Sequence, residues 1–244
     1  MKMMSRIYEF LSTRRLKIIA GVTLLLFYHG QTLDAGKTSS SSAPFALAKV
    51  HFEQNVTDKD VEVVFEVQGG DEGLIKLAVT SPDGRIVIDV TSPVDATLGI
   101  RQFRFESPEP KDIESLKSAY PEGVYTFTGV TATGDRLHST AALNHALPAA
   151  VSILRPSADA RGVGVRDLKI AWTPLKNLAA YIIEIQQDQL GVEVTAKLPG
   201  SAAGFTVPNG FLVPGMEYQL GIGTVAEKGN ISFVESTFTT SGKK

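Results

Sequence analysis

The sequence predicts an all-β protein: two tandem β-sandwiches behind an N-terminal signal segment. Three observations carry that expectation. Apolar residues recur at every second position in short runs, turn residues separate those runs about every eight to twelve positions, and helical periodicity is nearly absent. The 244-residue chain is 43% hydrophobic and 20% charged, a balance that can fill one or two cores.

The first element is residues 1–48. Lys2, Arg6, Arg14, Arg15 and Lys17 precede the apolar run "IIAGVTLLLFY" at 18–28. That run fits the apolar stretch of an export signal and falls short of the about 20 residues a membrane-spanning helix needs. The alternative is an uncleaved anchor through residues 18–28. Cleavage could follow "LDA" at 33–35, which has a bulky residue where a small one belongs, or "ALA" at 46–48, which lies far downstream. Thr13-Arg14-Arg15 resembles a twin-arginine signal, but Lys17 stands where that motif wants an apolar residue. "KTSSSSAP" at 37–44 is a polar tether with nothing to bury. The chain has no cysteine, which excludes disulfides, thiol nucleophiles and acylated-cysteine anchors. From Lys49 onward there are eighteen basic and twenty-four acidic residues, a net charge of −6 that makes nucleic acid a poor partner. Export without cysteine points to a bacterial envelope, so the sequons at Asn55 and Asn230 read as incidental.

Residues 49–148 supply the first sandwich. In "DVEVVFEV", Val61, Val63, Phe65 and Val67 share one face while Asp60, Glu62 and Glu66 share the other, the spacing of a half-buried strand. "GLIKLAV" repeats the pattern with Ile75, Leu77 and Val79, and "RIVIDV" with Ile86, Ile88 and Val90. Between them "SPDG" at 81–84 reads as a hairpin turn, because Pro82 presets its second position and Gly84 permits a left-handed exit. Further strands are expected at 100–106, 123–131 and 136–143, the last two joined at Thr133-Gly134-Asp135. Only "KDIESLKSA" at 111–119 is helical, until Tyr120-Pro121 stops it.

Residues 151–240 carry the more specific pattern. "DLKIAWTPL" sets Leu168, Ile170 and Trp172 on one strand face, "AAYIIEIQ" sets Tyr181, Ile183 and Ile185, and "GVEVTAKL" sets Val192 and Val194. "FLVPGMEY" then places Leu212, Pro214, Gly215 and Tyr218 ahead of a run alternating large and small residues. This half resembles a fibronectin type III domain, in which the proline-glycine pair turns the chain into the sixth strand. The resemblance implies that Tyr218 folds its hydroxyl back onto nearby backbone as a tyrosine corner, with Trp172 and Tyr181 in the core. Residues 49–148, with "YPEGVY" ahead of a strand carrying Tyr125, resemble a bacterial immunoglobulin-like sandwich. "ALPAAVSILRP" at 146–156 is a short, stiff connection.

Motifs for chemistry are scarce. H-E-x-x-H and G-x-S-x-G do not occur, and "GKT" at 36–38 lacks the leading glycine of a phosphate loop, position 31 being Gln31. No catalytic, cofactor-binding or metal residue is therefore expected, and no cofactor. His138 and His145, seven apart, fall on opposite faces of a regular strand. Asp58, Asp60 and Glu62 could present oxygens to calcium but read first as a solvated face, and Asp71-Glu72 as a turn. Three function classes stay open. The leading one is a non-catalytic envelope protein, a spacer, scaffold or protein-binding module whose partner is another envelope or secreted protein, and possibly glycan. A carbohydrate-binding accessory would use exposed Phe205 and Phe211. A glycan-acting hydrolase would use a carboxylate pair such as Asp58 and Glu62.

The export reading has a direct check. Exported protein, sequenced from its N-terminus, should lack its first 30–48 residues. An intact N-terminus on protein found outside the cytoplasm would establish the anchor instead.

Overall fold

Alternation sets the strands, and each strand turns its apolar parity toward one of two cores. The computed structural model describes residues 42–93 and 99–242, so the export segment, its tether and the "GKT" motif lie outside the described residues. In the first half the elements are β1 (Leu47–Asn55), β2 (Asp60–Gln68), β3 (Leu74–Thr80), β4 (Ile86–Thr91), β5 (Gln102–Glu106), α1 (Ile113–Ala119), β6 (Gly123–Thr131) and β7 (Arg136–Leu143). β1, β2 and β5 lie side by side, and the order β4-β3-β6-β7 makes the opposing sheet. Phe52, Val63, Phe65, Leu77, Tyr125 and Phe127 fill the space between them.

The second half repeats that plan. β8 (Ile153–Arg155), β10 (Lys169–Trp172) and β13 (Gly204–Thr206) form a three-stranded sheet. It faces β11 (Leu178–Gln187), β12 (Val192–Pro199), β14 (Glu217–Ala226) and β15 (Ile231–Thr240), in the order β12-β11-β14-β15. The short β9 (Ala160–Val163) pairs in parallel with the end of β15. Matching strands by position, β1, β2 and β5 correspond to β8, β10 and β13, and β4-β3-β6-β7 to β12-β11-β14-β15. Both halves are thus β-sandwiches of one topology, and the fold is fibronectin type III-like.

Local chemistry accounts for the turns and the helix. Gly84 takes φ +84 in the hairpin after β3, and its N–H donates to the Ser81 carbonyl at 3.0 Å. The carboxylate of Asp112 caps α1 by accepting from the Ser115 N–H at 2.7 Å. One apolar residue departs from its expected face: Ile86 is 63% exposed, because the β3–β4 register shifts between Val79 and Thr80.

Three tyrosines are buried with their hydroxyls returned to backbone. Tyr218 accepts from the Val213 N–H at 2.8 Å, and its ring stacks on Phe238 at 5.5 Å. Gly215, at φ +74, turns the chain into β14 just after Pro214, and Leu212 is buried beside the corner. Tyr125 donates to the Pro121 carbonyl at 3.1 Å, and Tyr181 accepts from the Leu175 N–H at 2.8 Å. Trp172 packs against Tyr181 with ring centroids 5.1 Å apart, its indole N–H without a partner.

These contacts set the expected cost of two substitutions. Tyr218→Phe keeps the ring packed but leaves the Val213 N–H unpaired, so it should cost about 1–2 kcal/mol. Trp172→Ala opens a cavity and should cost about 3–5 kcal/mol. Denaturant unfolding of the full chain measures both; a Tyr218→Phe protein of unchanged stability that had lost a binding event would show the tyrosine to be functional.

Candidate functional site

The two sandwiches are joined through one sheet. The start of β15 pairs in parallel with the end of β1, matching Glu53 with Ile231, Gln54 with Ser232 and Asn55 with Phe233. The continuous sheet runs β12-β11-β14-β15-β1-β2-β5. Just past β1, Val56 donates its N–H to the Phe233 carbonyl at 2.9 Å, and the Thr57 hydroxyl accepts from the Glu235 N–H at 2.8 Å.

Side chains of the second sandwich then fix the connecting segment. Asn230 is 1% exposed; its carboxamide oxygen accepts from the Phe52 N–H, and its Nδ2 donates to the carbonyls of Asn144 and Ala146, each at 2.9 Å. Ser232 Oγ donates to the Pro148 carbonyl at 2.6 Å, and Thr224 Oγ1 to that of Ala149 at 2.8 Å. Four carbonyls of the connection are thus satisfied by three side chains. Asn55 is buried as well, so in the folded protein neither sequon asparagine is open to a bulky modification.

The polar parity of β1, β2 and β5 forms a charged layer on the face opposite the first core. The Arg104 guanidinium bonds Glu53 at 3.3 Å, Glu66 at 3.2 Å and also Glu106. Lys49 reaches Glu66 at 3.4 Å. His51 Nε2 lies 3.1 Å from Glu53, and its Nδ1 has no partner. Burial holds the His51 imidazole below its ordinary 6.5, so it is neutral, donating from Nε2. For Glu53, burial pushes the carboxyl up, but the bonds from His51 and Arg104 prevail and its net shift is down. Glu62 has no such help: burial first, then the carboxylates of Glu106 and Glu53, push it up to about 8.

Of the three residues read as a solvated face, Asp58 is exposed and Asp60 half-buried, but Glu62 belongs to this layer and its reading is corrected: it is 8% exposed, beside Glu66 at 7% and Glu53 at 2%. On β11, Glu184 pairs with Gly221 of β14, which pairs with Glu235 of β15. Glu184 is 3% exposed with Oε1 unpaired; burial first, then Glu53, Glu193 and Glu235, push it up to about 8.

The other candidate residues are dispersed. Asp58 sits in the β1–β2 turn, bonded by the Asn55 amide at 3.1 Å, and Asp60 faces Asn55 across the ladder. Among the described residues no three His, Asp or Glu side chains are grouped to hold a metal. His138 is exposed on β7, while His145 stacks on Phe52 at 4.7 Å and meets the Tyr120 carbonyl at 2.8 Å. Asp71 and Glu72 lie in a turn. Phe205 and Phe211 are half-buried and pack against the second core. No described helix is long and apolar enough to cross a membrane.

Among known proteins, no family model and no curated protein matches the sequence. Among solved structures the chain is similar to a two-domain fibronectin type III segment of chicken tenascin, at 15% identity and a TM-score of 0.32, over 74% of this chain and 93% of that one. It is similar to fibronectin(III)-like modules of Clostridium thermocellum CbhA at 13% identity and a TM-score of 0.32, over 83% and 92% of the two chains. A tetra-tandem repeat in the extending region of a large adhesion protein aligns at 14% identity and a TM-score of 0.30, over 80% of this chain and 50% of that one. No function is carried over from likenesses at that level.

Arg104 is the residue on which the charged layer depends. Arg104→Met removes the cation that the buried carboxylates of Glu53 and Glu66 share with the more exposed Glu106, and should cost about 3–5 kcal/mol near neutral pH. The loss should shrink on acidification to about pH 5, where the stranded carboxyls can take up protons. Denaturant unfolding at the two pH values checks both; a loss below about 0.5 kcal/mol would mean the layer is solvated after all.

Proposed function

We propose that this chain is a non-catalytic exported protein of the cell envelope, a rigid two-module spacer or scaffold that presents its surfaces to another envelope or secreted protein. The modules are residues 49–148 and 151–240, and the place of action is the periplasm or the extracellular side. The observation that carries the reading is the locked connection. A tether between independent domains leaves its backbone to water; here the carbonyls of Asn144, Ala146, Pro148 and Ala149 bond to Asn230, Ser232 and Thr224. Such a connection fixes the distance and angle between two binding faces. That is worth building where geometry is the output.

The experiment pairs a shape measurement with partner capture. Asn230→Ala leaves the Phe52 N–H and the Asn144 and Ala146 carbonyls without their partner; each such group costs about 1–3 kcal/mol where it stays buried. Small-angle scattering should report one rigid particle for the natural protein and a broadened distribution for the variant. Full-length protein used as bait in envelope extract should retain a defined partner, and the loosened variant should retain less of it. Release of sugar from envelope glycans by the purified protein, abolished by Glu62→Gln, would show instead that the chain is an enzyme.

A further inference from the structure

We propose that β12 is a self-association edge, to which a second copy of this chain adds its own β12, antiparallel, about a two-fold axis through Thr195. The occupant is a second copy and not the spacer's partner, so this reading does not depend on the spacer reading. The length of the edge, its regularity and its charge pattern carry it.

Among the described residues, β12 and β5 are the outer strands of the continuous sheet, β4 and β7 those of the first sandwich's other sheet, and β13 and β8 those of the second's. An outer strand offers the N–H and C=O groups of alternate residues to any further strand, so native edges are usually short, bulged or covered. β8 and β13 have three residues each and β5 has five. β4 has six and a register shift against β3. β7 has Ala43 lying along it. β12 has eight residues, and its register with β11 runs from Val192 to Pro199 without a bulge. It is the longest uncovered edge among them.

Its side chains suit a second copy of itself. Glu193, Thr195 and Lys197 are exposed on one face, while Val192, Val194, Ala196 and Leu198 are half-buried on the other. Antiparallel pairing centred on Thr195 sets Glu193 opposite Lys197 of the partner subunit, Lys197 opposite the partner's Glu193, and the two threonines opposite each other. On the apolar face Val192 meets the partner's Leu198, and Val194 meets the partner's Ala196. Opposite charges, paired threonines and paired aliphatic side chains are each favourable across two strands. The ends agree as well: Gly191, which leaves the turn at φ +63, falls opposite Pro199, whose missing N–H ends the ladder.

A lysine alone on an edge would repel a second copy; here Glu193 answers it. The Glu193 carboxylate accepts from the Thr195 hydroxyl at 2.7 Å, and among the described residues Lys197 belongs to no ion pair. Beside them β11 sets Gln186, Glu184 and Ile182 against Glu193, Thr195 and Lys197, so it brings no competing cation. Asp188, in the turn, lies outside the paired stretch. The other long edges lack this match. Self-pairing of β5 about Arg104 would oppose two guanidiniums, and β4 carries Asp89 with no cation.

Cross-linking and charge exchange in the full chain test the edge and its register. The chain has no cysteine, so Thr195→Cys introduces its only thiol. In the proposed pair the two introduced thiols lie on strands whose Cα atoms are about 4.5–5.5 Å apart, within reach of a disulfide. Lys197→Cys places them four residues out of step, about 13 Å apart and out of reach. Under mild oxidation Thr195→Cys should therefore form covalent dimer at least about tenfold faster than Lys197→Cys. Association through the apolar N-terminal run would cross-link both positions alike. Sedimentation at about 100 μM should show dimer for the natural protein, as expected of a small and weak interface. Glu193→Lys and Lys197→Glu, each alone, should weaken the dimer at least about tenfold by opposing like charges, and mixing the two variants should restore it. A natural protein that stays monomeric at that concentration, equal cross-linking at the two positions, or no recovery on mixing would overturn the proposal. Should the charge variants fail to fold, the ratio of the two cross-linking rates decides.

Discussion

Three residues of parallel pairing, Glu53–Asn55 against Ile231–Phe233, decide the arrangement of everything else in the described chain. A pairing that short could not hold two sandwiches by its own hydrogen bonds, each of which contributes only about 0.5–1.5 kcal/mol net. It is held because Asn230, one residue before β15, is fully used: it takes the Phe52 N–H of the first sandwich and supplies the Asn144 and Ala146 carbonyls of the connection. One buried carboxamide thus ties a strand of the first sandwich, the connection and the last hairpin of the second. An aspartate there would lack the two donors, and a leucine would lack all three bonds.

Burial of the charged face of β1, β2 and β5 has an electrostatic consequence. A polar strand face that would be solvated in an isolated sandwich becomes an interior, and its charges must pair or be neutralised. Glu53, Glu66 and Glu106 are served by Arg104; Glu62 and Glu184 are left over and are neutralised by protons. Burying such a cluster is rarely stabilising against an apolar alternative of the same shape. What it adds is selectivity of register, since sliding β1 by one residue would bring Val50 and Phe52 to the polar side and send Glu53 into the core. On β14, a β-carbon at Gly223 would sit 2.7 Å from the ring of its cross-strand neighbour Phe233.

Much of the fold was legible in the sequence, because alternation and turn chemistry are local. The helix at 111–119, the strand at 123–131 and the hairpin at Ser81–Gly84 all follow from near neighbours, and they reappear within a residue or two at each end. The tyrosine at position 218 was legible for the same reason, its partner Val213 being five residues away. The charged layer was not. Lys49, Glu53, Glu62, Glu66, Arg104 and Glu106 share the polar parity of three strands, and alternation alone assigns such a parity to solvent. Its burial is not a local property, and β1 itself is placed by a long-range pairing with β15, 178 residues apart at Glu53 and Ile231. Nothing local in "LAKVHFEQN" records it, apart from a histidine and a glutamate on a strand that is otherwise unremarkably amphipathic.

The seam also solves a problem that any chain of sandwiches must meet. The last strand of such a module leaves an edge of unpaired N–H and C=O groups, an invitation to pair with another molecule. In the second sandwich that edge is β15, and it is filled from both ends: β1 covers Ile231–Phe233, and β9 pairs at Phe238 and Thr240. In the first sandwich the equivalent edge is β7, and Ala43 lies along it in parallel, bonding Arg136 and His138 through its own N–H and C=O. Ala43 leads into the first strand of its module and β1 is that strand, while β9 follows the first strand of the second sandwich. The same device that caps an edge in one sandwich therefore joins two sandwiches in the other. A segment that lies parallel to an exposed last strand can end a sheet or extend it, and which it does depends on whether a further sandwich is attached to that segment.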